Sequence, residues 1–136
     1  MRTANAAIAA IAAIVLAAVT LAGCGGATGP GPLGMTEPPA SLDPASPKLV
    51  AKDIAFSAGE IDVPAGVPFV IVFDNQDAVS HNVAVLGPGG GTTKVFDGVV
   101  FAGPATRWYP VPALAAGTYT FKCDLHPNMS GTLRAT

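Results

Sequence analysis

Tyr119-Thr120-Phe121-Lys122-Cys123-Asp124-Leu125-His126-Pro127-Asn128-Met129 lies close to the C-terminus and carries two patterns in one stretch. Its first five residues alternate, the period of two expected of a strand with one face in a core. Tyr119, Phe121 and Cys123 then share the inward face, and Thr120 and Lys122 take the other. Cys123 is expected to sit beside two aromatic rings, shielded from water. Past the strand, His126 and Met129 follow at intervals of three, so a thiol, an imidazole and a thioether come in turn.

Outward from this strand, short β-branched and aromatic runs alternate with Gly, Pro, Asn and Asp clusters, and no helical period survives past residue 47. The pattern predicts an all-β sandwich of about eight strands, near 48–57, 60–63, 68–74, 82–86, 94–97, 106–111, 117–123 and 131–135. Pro64-Ala65-Gly66, Pro88-Gly89-Gly90-Gly91 and Ala115-Ala116-Gly117 punctuate it. His81, Val83 and Val85 share a face, so His81 leads a strand whose alternate residues enter the core. Met129 comes just before Gly131, Leu133 and Ala135, the inward positions of the last strand.

The chain has two histidines and two cysteines. Taken singly, each has an ordinary reading: a buried Cys is a small hydrophobe, a core His satisfies its hydrogen bonds, and Met fills space. Taken together, His81, Cys123, His126 and Met129 make two imidazoles, one thiolate and a weak axial thioether, the ligand set of a blue-copper electron-transfer site. Structural zinc sites use four Cys or His ligands, and a thioether is a poor substitute. Met35 reads as a linker residue rather than a ligand, and Trp108 and Tyr109 as core or rim aromatics.

Tyr119–Cys123, His126, Met129, the closing Gly131-Thr132-Leu133 and the upstream His81-Asn82 together resemble the cupredoxins, in the plastocyanin and amicyanin branch. The short Cys-to-Met spacing is similar to that of amicyanin, and the resemblance covers about residues 48–136. It implies a Greek-key β-sandwich with one type 1 copper per chain, and a protein that carries single electrons between redox partners rather than an enzyme. It also implies that the Asn82 backbone N–H donates to the Cys123 sulfur, that the Asn82 side chain ties the two ligand loops together, and that the Ser80 carbonyl faces the metal opposite Met129. Relatives often carry a hydroxyl residue after the Cys, where this chain has Asp124. His126 is the expected electron port, ringed by Leu125 and Pro127, and redox proteins would dock there over a small, transient interface. A copper-binding module for delivery or storage is the alternative, although one buried thiolate without a Met cluster speaks against it. A catalytic copper protein needs an open coordination position or a second metal, which two histidines do not supply.

Residues 1–23 read as an export signal, with Arg2 as the charged start and an almost wholly apolar run from Ala6 to Ala22. Leu21-Ala22-Gly23-Cys24 resembles a bacterial lipobox, which implies cleavage before Cys24, its lipidation, and an extracytoplasmic domain anchored to the membrane. An uncleaved anchor is the other reading, because the run is at the short end of the roughly 17–25 residues that span a bilayer. Lipid on Cys24 and metal on Cys123 leave no cysteine for a structural disulfide. Residues 24–47 are then the lipidated Cys and a Gly/Pro-rich linker, about 25–30 Å end to end as a coil, and residues 48–136 are one domain. The chain has seven basic and nine acidic residues, and losing Arg2 takes its net charge from −2 to −3. With no basic cluster, nucleic-acid binding is excluded.

Overall fold

The computed structural model describes residues 34–136. The export signal, Cys24 and the first part of the linker lie outside them. Strand alternation builds two sheets. The first has the order β2 (Ala55–Phe56), β1 (Lys48–Lys52), β4 (Phe69–Asn75), β9 (Ala105–Val111). The second runs β3 (Glu60–Val63), β11 (Ser130–Ala135), β10 (Gly117–Lys122), β6 (Ala84–Leu86), β7 (Lys94–Asp97). A two-stranded piece, β5 (Ser80–His81) with β8 (Phe101–Ala102), joins their ends. β1 is parallel to β4 and β3 to β11, and the remaining pairs are antiparallel, the pairing from which the Greek-key sandwich is built.

The inward positions fill the space between the sheets. Leu49, Ile71, Phe73, Tyr109 and Val111 come from one side, and Val85, Tyr119, Phe121 and Leu133 from the other, all buried. Aromatic pairs stitch the layers, Phe56 to Phe121 at 5.3 Å and Phe96 to Tyr109 at 5.7 Å between ring centroids. Each large side chain so buried contributes roughly 1.5–3 kcal/mol relative to exposure. Gly131, opposite Phe121 in register, is required by that ring, because a Cβ there would collide with it.

Among the described residues, eleven short strands replace the expected eight, for local reasons. The run predicted over 48–57 breaks at Asp53 and Ile54, both left-handed at φ 53° and 57°, which makes a tight β1–β2 hairpin. A β-branched residue at positive φ is an outlier, and the strain is met by the Asp77 carboxylate, which accepts both backbone N–H groups at 2.9 and 3.1 Å. The strand predicted over 82–86 shortens to Ala84–Leu86, and a separate two-residue strand, β5, precedes it because the chain changes partners there: β5 pairs with β8, whereas β6 lies between β10 and β7. β8 was not foreseen at all. Met35, expected in the linker, exchanges two backbone hydrogen bonds with Trp108, so the chain ahead of β1 reaches the outer edge of β9. Among the described residues no helix is long and apolar enough to cross a membrane.

Candidate metal centre

Cys123 stands one residue past β10, at the point where the strand delivers its inward side chain to the end of the sandwich. The loop after it closes tightly. Met129 N–H donates to the His126 carbonyl at 3.0 Å, and Cys123 N–H to the Met129 carbonyl at 2.8 Å. Cys123 and His81 are fully buried and Met129 is 1% exposed, whereas His126 is only half-buried. Cys123 is a free thiol.

Both imidazoles turn Nδ1 toward the sulfur, His126 at 3.5 Å and His81 at 3.8 Å. The ring centroids are 4.6 Å apart, and the three donor atoms lie within 4.8 Å of one another. Two ligands bonded at about 2.0–2.3 Å to one ion in a trigonal plane sit roughly 3.7 Å apart, so the spacing fits a shared metal. The donor chemistry is soft thiolate with imidazole, and no carboxylate enters the cluster. His81, Cys123, His126 and Met129 are arranged as a type 1 copper site. Ser80 precedes His81 in β5, opposite Ala102.

The polar surroundings hold this arrangement. Asn82 and Asp124 pair reciprocally across the two ligand segments: Asn82 Nδ2 donates to Asp124 Oδ2 at 2.8 Å, and Asp124 N–H to Asn82 Oδ1 at 2.9 Å. Asp124, standing where relatives often carry a hydroxyl residue, thus makes the loop-to-loop bond itself. Asn82 Nδ2 also reaches the Gly98 carbonyl at 3.0 Å. Lys94 Nζ and Lys122 Nζ lie 2.7 and 2.8 Å from the Asp124 carboxylate. Burial works to raise the Asp124 pKa, but hydrogen bonds from Lys122, Lys94 and Asn82 outweigh it and hold the carboxyl well below the usual range. Lys94 is in turn raised, chiefly by its hydrogen bond to Asp124 and then by that to Asp97.

The sequence matches the family described as Cupredoxin-like domain over residues 9–135. The chain belongs to the cupredoxin-like family. Similar solved folds include auracyanin A, a "blue" copper protein from Chloroflexus aurantiacus, at 25% identity and TM-score 0.58 over 67% of this chain and 98% of that one. Amicyanin from Paracoccus versutus is 22% identical, with TM-score 0.54 over 71% of this chain and 87% of its own. A purple cupredoxin from Nitrosopumilus maritimus is 17% identical, with TM-score 0.53 over 67% of this chain and 100% of its own. No curated protein sequence matched.

The surface of this cupredoxin over the site is apolar. Leu125 is 49% exposed and Pro127 is exposed, on either side of His126. Two carboxamide and carboxylate residues were missed by sequence reasoning. Asn75, fully buried at the end of β4, donates through Nδ2 to the carbonyls of Val79 and Phe101, both at 3.0 Å, and accepts from Asp77 N–H at 3.0 Å. Asp77 lies 2.9 Å from His81 Nε2. Backbone hydrogen bonds, first from Ile54 and also from Asp53, outweigh desolvation and lower the Asp77 pKa, with His81 adding to the effect. In sequence, Asp74-Asn75-Gln76-Asp77 looks like a solvated turn, and only the four-residue step from Asp77 to His81 hinted at more.

Proposed function

We propose that this cupredoxin is a membrane-tethered, extracytoplasmic blue-copper protein that holds one copper ion and carries single electrons between redox partners. The observation that carries the reading is the convergence of His81 Nδ1, Cys123 Sγ and His126 Nδ1 within 4.8 Å, with Met129 buried at the end of the same loop. Copper bound to this donor set supplies a one-electron Cu(II)/Cu(I) couple. The chain's own part is to keep the donors in place and dry. β5 carries His81, the end of β10 leads directly into Cys123, and burial keeps water from the sulfur. His126 is the ligand nearest solvent, so partners are assigned to the Leu125–Pro127 surface, where a small apolar patch favours quick docking and release. The tether is read from the lipobox-like Leu21-Ala22-Gly23-Cys24, with Cys24 as the lipidated residue.

Copper titration of the mature protein, followed by visible absorption, tests the site. An intense thiolate-to-Cu(II) band is expected at one copper per chain, and Cys123→Ser should abolish it. A colourless copper complex would overturn the reading. Slow loss of copper to a competing chelator is expected of a carrier, and fast exchange would mark the delivery or storage role instead.

A further inference from the structure

Asp77 is not itself in the ligand cluster, yet its side chain makes three contacts beside it. One carboxylate oxygen accepts Asp53 N–H at 2.9 Å, and the other accepts Ile54 N–H at 3.1 Å and lies 2.9 Å from His81 Nε2. Its own N–H is held by the buried Asn75, whose amide also fixes Val79, the residue before Ser80 and His81. The Asp77 side chain is 15% exposed and that of His81 is not exposed at all, so the contact is sheltered. With Nδ1 turned to Cys123, the ring's remaining nitrogen is the one that Asp77 meets.

We infer that Asp77 is a positioning residue for the copper ligand His81, fixing its Nε2–H tautomer and supplying a negative charge that favours the oxidised site. The inference rests on the copper reading above. A metal-bound imidazole whose other N–H donates to a carboxylate is a better donor, its ring is locked in plane, and its tautomer is set. The extra basicity helps Cu(II) more than Cu(I), so Asp77 lowers the reduction potential. The same oxygen also caps the strained Asp53-Ile54 turn, so the β1–β2 hairpin and the ligand share one anchor. Asp124 differs in kind, because it braces the loops through Asn82 and does not touch an imidazole.

The test compares copper-loaded wild type with Asp77→Asn, by voltammetry and by Cu(II) and Cu(I) competition. Loss of an outer partner to a metal-bound His typically costs 10–100-fold in metal affinity. At least a tenfold fall in Cu(II) affinity relative to Cu(I) is expected, which is a rise of about 59 mV for one electron. To separate tuning from turn support, the same change is made in an Asp53→Asn, Ile54→Gly background, where Asn-Gly holds a two-residue hairpin by itself. There the Asp77→Asn loss of thermal stability should shrink while the potential still rises. Proton NMR of the reduced protein should show a His81 Nε2–H resonance protected from solvent exchange in wild type and exposed in Asp77→Ala. A wild type without the blue band would remove both readings. A blue wild type with a change of less than threefold in the Cu(II)-to-Cu(I) affinity ratio, or with a potential shift that disappears in the Asn-Gly background, would remove the Asp77 assignment alone.

Discussion

Replacing Asp124 by Ala should loosen the join between the two ligand segments by an amount that the contacts set. The carboxylate accepts one hydrogen bond from Asn82 Nδ2, and bonds to charged groups are worth about 1.5–3 kcal/mol. The lower end applies, because Asn82 Nδ2 keeps the Gly98 carbonyl and is not orphaned. The Lys94 and Lys122 pairs are partly solvated, the lysine side chains being 37% and 30% exposed, and add about 0–1 kcal/mol each. Asp124 N–H still reaches Asn82 Oδ1 whatever the side chain. The total is about 2–3 kcal/mol, or roughly 10–15 °C in Tm for a domain of this size. Asp124→Asn, which can keep a neutral bond to Asn82, should lose about half as much. The pH dependence has a definite sign. An unfolded Asp titrates near 3.9 and the folded carboxyl is held lower, so the unfolded chain takes up the proton first. The contribution is complete above roughly pH 5, and it is lost as pH falls through the folded pKa. The gap between wild type and Asp124→Asn should therefore close in acid. Urea and thermal unfolding of the copper-free proteins across pH would measure it. A drop below 3 °C for Asp124→Ala at pH 7, roughly under 1 kcal/mol, would refute the loop-joining role.

Met129→Leu conserves volume at a 1%-exposed position, so it should cost less than about 1.5 kcal/mol and keep the fold and copper. Removing the axial donor disfavours Cu(II), so the potential should rise, and an unchanged voltammogram would show that the thioether is not coordinated. Tyr109 is fully buried, donates its O–H to the Val99 carbonyl at 2.7 Å, and has its pKa raised, chiefly by burial. Its stabilising share is intact below the unfolded value near pH 10 and is lost as pH rises toward the folded one, by up to about 1.4 kcal/mol per pH unit. Tyr109→Phe should accordingly be less stable than wild type near neutrality and close that gap above pH 10 in urea unfolding; a constant gap would contradict the buried phenol.

How legible the protein was in its sequence depended on whether a feature is periodic or accidental. Tyr119, Phe121 and Cys123 alternate, so their inward face could be read directly, and burial agrees. The ligand cluster was legible because four rare side chains fall at spaced positions, and three of them converge in space. The break at Asp53-Ile54 was not, because Ile is a strand former and nothing local marks it for positive φ. That turn exists because a carboxylate 24 residues away accepts its N–H groups. β8 escaped for a similar reason, since Phe101-Ala102 is a two-residue strand defined only by its partner β5. Asp124 was read as a departure, yet a carboxylate makes the same bridge to Asn82 and adds two lysines.

The polar support around the metal ligands is uneven, and the unevenness follows from where each ligand stands. His81 is gripped through Nε2 by Asp77, which is itself held by Asn75 and by two backbone N–H groups. Cys123 is fixed by its strand, by its N–H to Met129, and by the Asn82–Asp124 pair next to it. His126 has, among the described residues, only the contact of its Nδ1 with the Cys123 sulfur, and its carbonyl bond to Met129 N–H. Fixing a buried donor costs little, since packing has already removed its freedom. Fixing an exposed one would cost side-chain entropy and a desolvated partner. The ligand left with the fewest constraints is thus the one at the surface, between Leu125 and Pro127, where a redox partner can approach it without disturbing the three donors behind.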